Sequence, residues 1–155
     1  IARQVAQVTF RSDNVFTERF GRNLTDQASV GDTFGLWQEF EVERYLHYHD
    51  DKLVRRFDAN SNLLIGKAMD LHDVARGRGS LESAMARITV PNLTIEISSD
   101  ILYPPYQQRQ MSRILSRTGL PSSYIEIDSH HGHDAFLIHF EQVGEPIGKF
   151  LAQLG

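Results

Sequence analysis

At 155 residues the chain is long enough for one domain with a core, or for a large piece of a bigger one. A net charge of −4, and Arg alternating with Asp and Glu as in DDKLVRRFD, point to solvated helix faces rather than a stripe for nucleic acid or an anionic membrane. Cysteine is absent, which excludes disulfides, zinc–thiolate sites and a cysteine nucleophile and fits a reducing cytoplasm; no apolar run is long enough to span a bilayer.

The chain opens without Met on IARQVAQVTF, where Ile1, Val5 and Val8 already keep helical spacing over 1–9, as if cut from something longer. Residues 21–37 read as a polar, glycine-punctuated loop. From Gln38 to about Phe57 the apolar positions Val42, Tyr45, Leu46, His49, Leu53 and Phe57 fit a helix, and a second helix follows over roughly Asn60–His72 with Leu64, Ala68 and Leu71 on one face. RGRGS then forms a turn, and Ser80 is an N-cap for a short helix to Arg87.

Beyond Pro91 the pattern alternates. LTIEIS, residues 93–98, is strand-like. Pro104 and Pro105 stop it and start a helix whose core face is Met111, Ile114 and Leu115, with Gly119 at its end. SYIEI, residues 123–127, is a second strand. After the loop SHHGHDAFL, the residues Val143, Ile147, Phe150, Leu151 and Leu154 mark a last helix. The order β-α-β-loop-α implies parallel strands with a helical crossover in an α/β sheet. Two parallel strands need further neighbours, because such sheets are buried on both faces.

Three histidines within four positions, His130, His131 and His133, are the most concentrated chemistry in the chain. A metal centre is not expected from them, because neighbouring side chains in so short a loop are expected to point apart and no second cluster of His and carboxylates stands by. A solvated loop with no role and a catalytic role both stay open, since many proteins contain an Asp and a His this far apart. Functional groups gather at the carboxyl ends of strands in open α/β sheets, where Asp100 follows the first strand and the histidine loop follows the second. An acid and then a base is the tail of the order Ser, Asp, His. Asp128 competes with Asp100 but is so close to the histidines that a loop turn is its expected duty. No G-x-S-x-G elbow for a nucleophile occurs. GDTFG, with Thr33 at its centre, imitates one but follows no strand and reads as a loop.

Several segments in order, RRFDANSNLLIGKAMDLHDVARGRG, SSDILYPPYQQ and DSHHGHDAFL, together with IARQVAQVTFRS…ERFG, resemble the C-terminal part of the homoserine O-acetyltransferase family, over nearly all 155 residues. The resemblance implies the C-terminal part of an α/β-hydrolase fold: a helical lid segment over 1–90, then the strands and helices of the core over 91–155. It makes Asp100 the acid and His133 the base of a Ser-His-Asp triad, Asp134 a binder of the amino-acid substrate and Arg3 the partner of its carboxylate.

The implied reaction is ping-pong acetyl transfer from acetyl-CoA, a co-substrate rather than a bound cofactor, to the hydroxyl of L-homoserine in methionine biosynthesis. The nucleophilic Ser and the oxyanion hole would lie in a missing N-terminal half, so the chain alone would be inactive, and the lid helices would support a homodimer. A succinyl donor, a serine-type acceptor, an esterase on the same fold and a non-catalytic fragment remain alternatives. Phe10 stands where the family usually has Tyr. Glu96 interrupts a strand that is more uniformly apolar in relatives, and its charge must be paired or lie at an edge.

Overall fold

A computed structural model describes residues 1–25 and 38–154 of the chain. Thr33 and most of the loop expected over 21–37 lie outside the described residues. The described elements are α1 (Ala2–Thr9), α2 (Asp13–Arg19), α3 (Glu41–Arg56), α4 (Ala59–Asp70), α5 (Leu81–Met85), β1 (Asn92–Ile97), α6 (Pro105–Ser116), β2 (Ser122–Ile127), a 3-10 turn (Gly132–Asp134), α7 (Ala135–Ile138) and α8 (Phe140–Ala152).

The crossover is as expected. β1 and β2 pair in parallel, with Ile95 beside Ile125, Glu96 beside Glu126 and Ile97 beside Ile127. Because side chains alternate, one register sends two different sets to two faces. Ile97 and Ile127 pack with Ala135, Ile95, Ile125 and Val143 on the face covered by α7 and α8. The other face carries Glu96, Tyr124 and Glu126 toward α6. There the charge that looked out of place finds its partner. Arg109 of α6 donates to Glu96 Oε1 through Nη2 at 2.8 Å and Nε at 3.2 Å, and Nε also approaches the Tyr124 hydroxyl at 3.3 Å. Burial alone pushes the Glu96 carboxyl up, but the bonds from Arg109 and Tyr124 outweigh it and hold the group below the ordinary carboxylate range. Glu96 Oε2 has no hydrogen-bond partner among the described residues.

Local signals explain most element ends. Ser80 Oγ accepts from the Ser83 N–H at 3.1 Å and caps α5, which stops at Met85 rather than Arg87. Met85 then packs with Ile114 and Leu115 of α6. Met111, expected in that core face, is 38% exposed. It sits a turn too early to reach α5. Gly77, Gly79 and Gly119 all take positive φ, consistent with turns.

Two differences matter. The helix α2 was not expected; Ser12 caps it, accepting from the Val15 N–H, and Phe16 of this helix and Phe20 just after it join an aromatic cluster with Tyr45 of α3. In α4 the apolar face does not pack: Leu64 is 73% exposed and Leu71 51%, and no residue of the helix is buried. Periodicity locates an amphipathic face but not what covers it. No helix among the described residues is long and apolar enough to cross a membrane.

Candidate active site

The two strand ends bring together what the sequence separates by 33 positions. Beyond β1 the chain turns, and the Asp100 N–H bonds back to the Ile97 carbonyl at 3.2 Å. The carboxyl is buried. Its Oδ1 accepts from the N–H groups of Leu102 and Tyr103 at 2.8 and 2.9 Å. Its Oδ2 lies 2.8 Å from His133 Nδ1. A carboxylate accepts only, so Nδ1 carries the hydrogen and donates it. Nε2 is on the far side of the ring from this bond, and it makes no hydrogen bond among the described residues. Phe10, Tyr103 and Phe136 surround the ring, with centroids 5.8, 5.1 and 5.3 Å away. The imidazole side chain stays 24% exposed. The result is an oriented imidazole with one open face, the arrangement that abstraction of a hydroxyl proton requires.

The histidine loop is held by close backbone approach. Gly132 has φ +70°, and a Cβ there would come within 2.9 Å of Arg11 Cα, Arg11 C and the Phe10 carbonyl oxygen. That carbonyl accepts from the Asp134 N–H at 3.1 Å, and Ser12 Oγ donates to the His130 carbonyl. The base-bearing loop is thus docked on the segment joining α1 to α2.

His130 and His131 do not point apart as expected. Their rings pack at 4.2 Å and His131 meets His139 at 5.1 Å, because the backbone bends here instead of alternating as a strand does. Burial first, and then the neighbouring His130 and His139, hold His131 below the ordinary imidazole range. No group of three or more His, Asp or Glu among the described residues is arranged to hold a metal ion. Asp128 serves the turn, accepting from Ser98 Oγ at 2.9 Å.

Asp134 follows His133 directly, and Arg3 is linked to that histidine through the Phe10 ring. Asp134 pairs with Arg11, Nε to Oδ2 at 3.2 Å, both side chains one-fifth exposed. Nothing in the spacing signalled Arg11, which stands 123 positions away. The Arg3 guanidinium lies 5.4 Å from the centre of the Phe10 ring, and Phe10 is itself in contact with His133. With the Gln7 amide turned to satisfy both its neighbours, its oxygen accepts from Arg3 Nη2 at 2.7 Å and Nε at 3.2 Å while its nitrogen donates to Tyr45. The remaining Nη1 edge of Arg3 makes no hydrogen bond among the described residues. His49 registers the local field: its pKa is lowered, first by burial and then by Arg3, Arg11, Lys52 and Arg19.

No family model matches the chain. Homoserine O-acetyltransferase of Moorella thermoacetica is 48% identical over 154 residues, 99% of this chain and 40% of that protein. The protein of the same name from Symbiobacterium thermophilum is 46% identical over 153 residues, again 99% of this chain and 40% of that one. The chain therefore spans about two fifths of the length of these relatives. Among solved structures, homoserine O-acetyltransferase from Bacillus anthracis superposes with a TM-score of 0.76 at 24% identity, over 93% of this chain and 39% of that one. Esterase E22 gives 0.77 at 20% identity, over 96% and 40%. At these identities the structures speak to the fold alone, which is that of part of an α/β-hydrolase.

Proposed function

With the homoserine O-acetyltransferases as its relatives along 99% of the chain, we propose that it supplies the base, the acid and the amino-acid clamp of an O-acyltransferase. A serine outside this chain attacks the thioester carbonyl of acetyl-CoA while His133 Nε2 takes its proton. The acetyl group moves to the serine and the thiol of CoA leaves with the proton from His133. The hydroxyl of L-homoserine then gives its proton to the same nitrogen and attacks the acyl-enzyme, and the serine leaves with that proton. Asp100 keeps Nδ1 protonated and stabilises the imidazolium between the two steps.

The observation that carries this reading is the 2.8 Å contact between His133 Nδ1 and an Asp100 carboxylate whose other oxygen is already held by two backbone donors. The clamp is supported by charge. The open edge of Arg3 suits a carboxylate bidentately. Asp134 has one oxygen beyond its Arg11 contact for an ammonium. An esterase needs neither group. The helices before Pro91 serve in this reading as a lid, and the exposed apolar side of α4 as a homodimer contact in a cytoplasmic enzyme of methionine biosynthesis.

In the complete enzyme, His133→Ala is expected to lower acetyl transfer to homoserine by about 10³-fold or more, whereas His130→Ala and His131→Ala retain most of it. The measurement is thiol release from acetyl-CoA with and without homoserine. Equal losses in all three variants would overturn the assignment of the base, and thiol release indifferent to homoserine would favour the esterase.

A further inference from the structure

The sequence pair Ser98–Ser99 stands between β1 and the catalytic acid, and both hydroxyls reach across to the histidine loop. Their targets differ. Ser98 Oγ accepts from the Ser129 N–H at 3.0 Å and lies 2.9 Å from Asp128 Oδ1 and 3.2 Å from the Ser129 carbonyl oxygen. It fastens the root of the loop. Ser99 Oγ donates to the Ser129 carbonyl at 2.5 Å and accepts from the Gly132 N–H at 2.9 Å. One hydroxyl thus uses both its hydrogen and a lone pair on a loop of four residues, closing it into a fixed bend.

We propose that Ser99 is a positioning residue for acyl transfer: its hydroxyl bridges the residue before the acid to the residue before the base. Ser99 adjoins Asp100 and Gly132 adjoins His133. The bridge therefore fixes the relative placement of the two backbones from which the acid and the base project. The backbone of Phe10 and Arg11 lies close on the other side of Gly132, where a Cβ would meet it at 2.9 Å. Losing the hydroxyl frees the Gly132 N–H and lets the loop rotate at its positive-φ residue, so the imidazole drifts from Asp100 with no side chain of the pair altered. Displacement of a catalytic group by about 1 Å costs on the order of a hundredfold in rate.

The inference rests on the proposed roles of Asp100 and His133, and its test separates the two. The complete enzyme is examined by proton NMR for the downfield Nδ1–H signal of a histidine bonded to a carboxylate, assigned by its loss in His133→Ala. Ser99→Ala is expected to shift that signal upfield or remove it. It should lower kcat by roughly tenfold to a hundredfold with the homoserine KM little changed. Ser99→Thr, which keeps a hydroxyl, should recover most of both. Ser98→Ala should keep the signal and kcat even where it lowers thermal stability as much. If Ser99→Ala does not fold, Ser99→Cys, with weaker hydrogen bonds in the same volume, should show part of the same shifts. Wild-type signal and kcat in the Ser99 variants, or identical changes in Ser98→Ala, would overturn the proposal. A wild-type enzyme that shows the signal but transfers no acetyl group would instead overturn the acyltransferase reading, leaving Ser99 to be judged by the signal.

Discussion

A single buried charge decides much about this sheet. Glu96 is 2% exposed, the least accessible large side chain described. It tolerates that position because Arg109 meets one of its oxygens twice. Removing the cation is worse than removing the acid, since it leaves a buried carboxylate without its counter-charge. Arg109→Ala is therefore expected to lower the urea unfolding midpoint of the assembled protein more than Glu96→Gln does, as followed by circular dichroism. The pH dependence has a definite sign. Glu96 is more acidic folded than unfolded, so its contribution is complete above the unfolded carboxylate value of about 4.3 and fades as pH falls through the lower folded value. Wild-type stability should drop more steeply below about pH 4 than that of Glu96→Gln. The need for a partner was legible in NLTIEI, but its identity was not. Arg109 lies 13 positions on, and only the packing angle of a helix on a sheet selects it. Asp100 was legible by its place at a strand end. Among the three neighbouring imidazoles, only family resemblance singled out His133.

At the scale of elements, caps and breakers worked where they act locally. Ser80 and Pro104 with Pro105 mark the helix starts they suggested and Gly119 turns the chain just after α6, whereas β1 ends at Ile97, before the prolines expected to stop it. The helix α2 escaped notice although Ser12 is a competent cap, because its seven residues show no full apolar period. The docking of the histidine loop was illegible for another reason. It depends on a glycine touching backbone more than 120 positions away, and contact across that distance leaves no periodic trace. Gly132→Ala tests it. The added Cβ meets two Arg11 backbone atoms and the Phe10 oxygen, in a conformation that costs an L-residue about 1–2 kcal/mol before any clash. We expect a loss of stability on the order of 2 kcal/mol or more in chemical denaturation, with acetyl transfer nearly abolished because His133 follows directly.

Over the whole molecule, burial is uneven. The face of the sheet under α7 and α8 is packed, while α4 shows Leu63, Leu64, Ile65 and Met69 each more than half exposed. Contiguous apolar surface of this kind belongs to contacts with other chains or other parts of the same protein. Produced alone, residues 1–155 should self-associate at micromolar concentration in size-exclusion chromatography with light scattering. Co-production with a nucleophile-bearing N-terminal part should yield a discrete species instead; a monodisperse, soluble monomer from the chain alone would contradict this. The same unevenness gives the buried ion pair a second consequence. Shift β2 past β1 by one residue and every side chain of the slipped strand changes face. Slippage of β1 would drive the Glu96 carboxylate among Ile127, Ala135 and Val143 and leave Ile97 against a guanidinium. The charge acts as a check on assembly: it rejects a one-residue slip of the strand that carries it, and the observed alignment is the one that sets Asp100 beside His133.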